Sequence, residues 1–278
     1  MSRIIVVTSG KGGVGKTTTT SNIGMALARL GKKVLLIDAD VGLRNLDLLL
    51  GLENRIIYTG ADILSGTCQI DQALITDKRQ SNLVFFPLSS NQIKFSITKE
   101  QIQEFINQLK PKFDFILIDS PAGIDDGFQS AIEGADEAIV VVTPEVTSIR
   151  DADKVIGILE ARRVTNIKLV INRLRPNMVK AENMLSIGDI QDILGIQLLG
   201  VIPDSERVII AANRGEPLVL NKKLSTPGVA FDNVARRLTG ESVDFLNFDS
   251  ETRTNPIKRL FKDFLRITFL ESSLIFIF

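Results

Sequence analysis

Residues 10–17 read Gly10-Lys11-Gly12-Gly13-Val14-Gly15-Lys16-Thr17 and fit the pattern G-x-x-x-x-G-K-[ST]. That spacing suits one kind of chemistry, the binding of phosphate. Glycines let backbone N–H groups turn inward on phosphate oxygens, and a helix opening just after the loop adds the partial positive charge of its N-terminus. Residues 10–18, Thr18 included, would then cradle a nucleotide, with Lys16 on its β and γ phosphates and the Thr17 hydroxyl on Mg²⁺. Lys11 is in surplus. It stands at an x position that points away from the target of Lys16, and a lone lysine there is by default a solvated surface charge.

Two further apolar runs end in carboxylates. Asp119 closes FDFILID (113–119), where a carboxylate at the end of a buried strand suits a Mg²⁺ holder, with a turn or helix-capping aspartate as the bland alternative. KVLLIDAD (33–40) supplies Asp38 and Asp40, two residues apart and so on one side of an extended chain. The chain has no histidine, which removes the commonest general base. Hydrolysis would rest on metal, lysines and positioning, as phosphoryl transfer permits, and slow turnover is expected. Asn172 ends NIKLVIN (166–172), and Pro203-Asp204 ends the run QLLGVIP with its next residue. On chemistry alone an Asn at a strand end is as readily a turn residue as a base-reading group.

The elements that must position these groups alternate along the chain. Apolar, β-branched runs at 3–9, 33–38, 82–88, 113–119, 137–143, 166–172 and 197–203 predict strands buried on both faces, the mark of a parallel sheet covered by helices. Helices are predicted near 16–30, 98–110, 147–162, 185–194 and 226–238, with Gly31 placed to cap the first. The expected fold is α/β: a doubly wound, mostly parallel sheet with helices on both faces, over residues 1–240. A polar linker over 241–255 and a distinct tail over 256–278 follow.

Composition narrows the function classes. Among 278 residues, Lys+Arg and Asp+Glu both number 33, so nothing in the balance asks for nucleic acid. A single cysteine, Cys68, excludes an intrachain disulfide and any cysteine-held cluster within one chain. Strand-like sequence begins at the third residue, so no leader peptide is expected, and no run of 18 apolar residues predicts a spanning helix.

The tail reads differently. In NPIKRLFKDFLRITFL (255–270), Ile257, Leu260, Phe261, Phe264 and Leu265 recur at helical spacing on one face. Lys258, Arg259, Lys262 and Arg266 lie mostly around the other, against a single Asp263. This predicts an amphipathic helix lying on an anionic membrane, although amphipathicity alone would also suit a helix docked on the domain. Five apolar side chains contribute roughly 7 to 15 kcal/mol of gross burial, against on the order of 12 to 24 kcal/mol of backbone ordering. One tail should bind marginally, and two tails on a dimer much better.

KGGVGKTT at 11–18 resembles the deviant Walker A motif of the MinD/ParA family of P-loop ATPases, which includes plasmid partition, nitrogenase iron and septum-site proteins. The blocks VLLIDADVGLRNLDLLLGLENRIIY, FILIDSPAGIDDGFQSAI, VTPEVTSIRDADKVIGILE, INRLRP and ANRGEPLVL look closely like the septum-site-determining branch, out to about residue 240. The resemblance implies that Lys11 reaches across an ATP-bridged homodimer to the partner's nucleotide. It implies that Asp40 positions the attacking water and meets the Mg²⁺ shell, with Asp38 in support, and that 119–124 is the second switch segment. Asn172, Pro203 and Asp204 would contact adenine, which favours ATP over GTP. Asp151 and Asp153, in an exposed segment 148–155, would meet a MinC-like division inhibitor and a MinE-like activator. A membrane-targeting tail is also implied, at a peripheral membrane of a bacterium or at the inner envelope face of a plastid. Residues 271–278 depart from the family pattern. A partition ATPase that carries DNA is the rival reading, and the cysteine count removes the iron-protein branch.

Overall fold

The computed structural model describes residues 2–40, 44–88 and 98–247. Eight strands form one sheet: β1 (Arg3–Thr8), β2 (Val34–Asp38), β3 (Ile75–Thr76), β4 (Leu83–Pro87), β5 (Phe115–Asp119), β6 (Glu137–Val142), β7 (Asn166–Leu174) and β8 (Gln197–Pro203). Their order is β3-β4-β2-β5-β1-β6-β7-β8, parallel throughout except for β3, which runs antiparallel to β4. β1 lies between β5 and β6, so the chain leaves it toward one half of the sheet and returns to the other. That reversal opens a crevice at the carboxyl ends of the central strands, the usual ligand position in open α/β sheets.

Among the described residues eleven α-helices flank the sheet. They are α1 (Lys16–Arg29), α2 (Leu46–Leu50), α3 (Gly60–Leu64), α4 (Ile70–Ala73), α5 (Lys99–Leu109), α6 (Asp126–Ile132), α7 (Val146–Ala161), α8 (Pro176–Lys180), α9 (Ile187–Leu194), α10 (Glu206–Asn213) and α11 (Thr226–Leu238). One core joins α1 and α11 to the sheet through Ile23, Leu27, Phe231 and Val234, all fully buried. The other packs α5, α6 and α7 on the opposite face through Ile106, Phe128, Ile149 and Val155. Strands that feed two cores are apolar at nearly every position, which is why their sequence shows no alternation.

The five expected helices stand within two residues of their expected bounds. α9 starts at Ile187 rather than 185 because Ser186 caps it, accepting from the Asp189 N–H while the Asp189 carboxylate accepts from Ser186. Gly31, at φ 80°, ends α1 as expected. β7 runs past Asn172 to Leu174, with an irregular register to β8 and Arg173 at φ 57°. The first residues of the predicted polar linker are pinned to the domain: Arg237 of α11 donates to the carbonyls of Val243 (3.0 Å) and Asp244 (2.9 Å). The rest of the linker and the whole tail, with Ile257, Lys258, Arg259, Leu260, Phe261, Lys262, Phe264 and Leu265, lie outside the described residues.

Candidate functional site

β1 delivers the chain at Thr8 into the glycine loop, and α1 begins at Lys16. Gly13 at φ 78° and Gly15 at φ 96° hold the left-handed conformations the turn requires. Two neighbours shape the loop from outside. A Cβ at Gly10 would overlap the backbone carbonyl of Asp151, so the loop presses directly on α7. A Cβ at Gly15 would overlap the Asn172 amide, whose Nδ2 donates to the Val14 carbonyl at 2.7 Å. Asn172 thus braces the loop, and its Oδ1 accepts from the Arg173 N–H at 3.0 Å.

The register sets the carboxylates. Asp38 and Asp119 are paired positions on β2 and β5, and Asp119 is also the partner of Val7 on β1, three residues before Gly10 of the loop. Asp119 is fully buried, and burial pushes its carboxyl up to about 6, against the opposing pull of hydroxyl bonds from Thr17 and Thr20 and the charge of Lys16. The Thr20 Oγ1 donates to Asp119 Oδ1 at 2.8 Å. Lys16 is 8% exposed, and burial lowers its ammonium pKa while the charges of Asp119 and Asp40 resist that change.

Asp38 does something different from what its distance to Asp40 suggests. Its two oxygens accept from the N–H groups of Asp40 and Leu46, each at 3.1 Å, so one carboxylate ties both sides of residues 41–43 to β2. Burial first, then the neighbouring Asp119, push its pKa well above the usual carboxylate range. Asp38 therefore tethers Asp40 and Leu46 to β2, and Asp40 stands half-buried beyond it.

Lys16, Thr17, Asp40 and Asp119 converge at one end of the sheet. Hydroxyl and carboxylate oxygens beside a buried carboxyl that lacks a full countercharge form a hard donor set with room for phosphate oxygens and water, which suits Mg²⁺. Among the described residues no group of three or more His, Cys, Asp or Glu could hold a metal ion. The switch-like segment after β5 closes the site: the Gly123 N–H donates to the Ser9 carbonyl at 3.3 Å, and Gly123 sits at φ 88°.

Lys11 is not part of this cluster. Its Nζ lies 3.3 Å from Glu145 Oε2 and 3.3 Å from Thr147 Oγ1, at the start of α7. Glu145 and Thr147 had no signal in the sequence, because β6 reaches β1 only through the strand order. On the other flank, Pro203 and Asp204 line a cavity of about 650 Å³ with Pro176, Ser205, Arg207 and Lys223. Asp204 donates its N–H to the Leu174 carbonyl and accepts Arg175 Nε at 2.6 Å.

Asp151 and Asp153 stand on α7, but the expectation of an exposed segment needs correction. Ser148, Ile149, Ala152 and Val155 are buried, and only one face, with Arg150 and Lys154, is open. Asp151 is ion-paired to Lys154 at 3.7 Å, and half-burial raises the Asp153 carboxyl.

The model of the CobQ/CobB/MinD/ParA nucleotide binding domain matches residues 5–218. A putative septum site-determining protein MinD of Emiliania huxleyi is 71% identical over 266 residues, covering 96% of this chain and 98% of that protein. The MinC:MinD cell division protein complex of Aquifex aeolicus contains a chain 50% identical, with a TM-score of 0.83 and coverage of 88% and 99%. The septum site-determining protein MinD of Pyrococcus horikoshii, complexed with Mg-ADP, is 33% identical at a TM-score of 0.77, with coverage of 86% and 96%. The chain therefore belongs to the MinD family of septum site-determining proteins, within the MinD/ParA nucleotide-binding domains.

Proposed function

We propose that this protein is an ATPase that selects the division site by cycling between a free monomer and a membrane-bound, ATP-bridged dimer. Gly10 to Thr18 hold the phosphates, with Lys16 on the β and γ oxygens and Thr17, Asp119 and Asp40 around Mg²⁺. The metal supplies charge neutralisation as negative charge builds on the leaving oxygen. Asp40 orients a water toward the γ phosphorus; the new P–O bond forms as the β–γ bridge breaks, leaving ADP and phosphate. Asn172, Pro203 and Asp204 contact the base.

The observation that carries the reading is the placement of Lys11. Its side chain is 44% exposed on the rim of the site and is held by the start of α7 instead of by its own loop. A charge so placed is available to a second subunit. Exposed apolar side chains, Leu48, Ile124, Val146, Ile209 and Ile210, stand on segments that follow β2, β5, β6 and β8, and they offer contact area to a second subunit. Two tails on one dimer then bind the membrane together, α7 with Asp151 and Asp153 receives a MinC-like inhibitor and a MinE-like activator, and hydrolysis releases the protein. The membrane is that of a bacterium or a plastid.

Co-sedimentation with anionic vesicles tests this, using the full chain, a chain ending at Asn255, and Lys11→Ala. ATP-dependent pelleting of the full chain alone is expected. Pelleting of Lys11→Ala that still depends on ATP refutes the role of Lys11. Salt-sensitive retention on DNA without any pelleting would replace the reading with DNA partition.

A further inference from the structure

β8 is an edge strand, and an edge needs cover. α11 supplies part of it: Arg237 donates to the Leu199 carbonyl on β8 at 2.9 Å, and the same guanidinium holds the carbonyls of Val243 and Asp244. Its Cζ lies 3.9 Å from the centre of the Phe245 ring. One side chain thus fixes the exit path of the chain beside β8.

Between β8 and α9 that path borders a groove of about 470 Å³, whose apolar lining is Ile187, Leu198, Val201, Phe245 and Leu246. The other lining residues are Gln191 and Gln197; no charged residue lines it. Phe245 remains 47% exposed on its edge. The described chain ends at Asn247, one residue after Leu246, so whatever follows starts at the groove mouth.

We infer that this groove is the seat of the chain's own C-terminal apolar face, Ile257, Leu260, Phe261, Phe264 and Leu265, whenever the protein is off the membrane. The inference rests on the membrane reading proposed above and adds where the tail goes in the free state. Ten residues from Asn247 to Ile257 span at most about 33 Å extended, ample for a return to a groove that begins beside Leu246. Charge agrees with this occupant. Exposed Asp192 and Asp244 are chain neighbours of the lining residues Gln191 and Phe245, and the tail carries Lys258, Arg259, Lys262 and Arg266. Tethering keeps the local concentration of the tail near the groove at the millimolar scale, so a weak contact suffices. The same apolar face cannot lie in the groove and in lipid, and the groove therefore opposes membrane binding by a single subunit.

The test uses the full chain with Gln191→Trp, a large ring placed in the groove from the solvent-facing side of α9, and vesicles of phosphatidylglycerol and phosphatidylcholine. In ADP, the pelleted fraction is expected to rise at least threefold over wild type, with pelleting in ATP unchanged. Unchanged pelleting in ADP, with normal pelleting in ATP, overturns the inference. A second measurement is independent of the ring: in a Cys68→Ser background, Gln191→Cys with Leu260→Cys should form an intrachain disulfide when mildly oxidised in ADP, and should not form it when the same reduced protein is oxidised in ATP with vesicles. Absence of the crosslink in ADP overturns the inference. Should wild type fail to pellet in ATP, the membrane reading falls, and the crosslink alone then decides whether the tail occupies the groove.

Discussion

Two lysines five positions apart in one loop live in different physics. Lys16 is 8% exposed, faces the buried Asp119 and the half-buried Asp40, and has its ammonium pKa lowered by burial. Lys11 has a side chain 44% exposed and pairs with Glu145, itself 58% exposed, at 3.3 Å. The inner lysine is positioned by the fold and cannot leave without stranding a buried charge, which typically costs about 3 to 5 kcal/mol. The outer one is held by a surface pair worth about 0 to 1 kcal/mol. A site needs both: a fixed pole that binds phosphate in every state, and a loose pole that a second subunit can capture.

The largest effect should come from the inner pole. Lys16→Ala is expected to reduce phosphate release by on the order of 10³-fold and to abolish measurable nucleotide binding by calorimetry, since both functions rest on one buried charge. Lys11→Ala is expected to lose a comparable factor in hydrolysis while still binding ADP as a monomer. Loss of ADP affinity in Lys11→Ala would erase the contrast between the poles.

Much of this was legible in the sequence. The glycine loop, Asp119 and the strands were readable because burial on both faces leaves unbroken apolar runs and because the loop's chemistry is local. What was hidden depends on the strand order. Glu145 meets Lys11 across 134 residues because β6 lies beside β1, and no local pattern announces that. The short helices α2, α6 and α10 were missed for the same reason, since segments of five to eight residues owe their helicity to packing rather than propensity. Asn172, proposed above to contact the base, also braces the Val14 carbonyl through its amide, a contact that no local pattern announces. The tether made by Asp38 could be read only once both of its N–H partners were placed.

The inner pole also carries a pH signature. Asp119 titrates near 6 in the fold against an ordinary 3.8, so the folded state holds that proton more tightly than the unfolded chain does. The protonated carboxyl contributes up to about 3 kcal/mol of stability at low pH. That contribution is complete below the ordinary value and lost as pH rises through about 6. Binding of Mg²⁺ needs the ionised form and should strengthen over the same window. The thermal midpoint of the ligand-free protein, wild type minus Asp119→Asn, is expected to fall between about pH 4 and pH 7, while the upward shift given by Mg·ADP grows. A flat difference would mean that Asp119 is already ionised in the free fold.

Asp38→Asn is expected to cost about 1 to 3 kcal/mol, because an amide offers one acceptor oxygen where the buried Leu46 N–H and the half-buried Asp40 N–H now have two. Urea unfolding measures it, and a cost below about 0.5 kcal/mol would remove the tether from the account of the inner pole.

Glu145→Gln should give the smallest effect and the most informative sign. The exposed pair contributes about 0 to 1 kcal/mol, so its loss should leave the unfolding midpoint unchanged. Released from Glu145, Lys11 no longer has to exchange a partner in its own chain for the phosphate of another. The ATP concentration for half-maximal dimerisation is therefore expected to fall by up to about fivefold, the whole worth of such a pair expressed as a ratio. Light scattering over an ATP titration reads this directly. A rise instead of a fall would mean that Glu145 contributes to the dimer itself, and the outer pole would then be a shared contact instead of a lysine held in reserve.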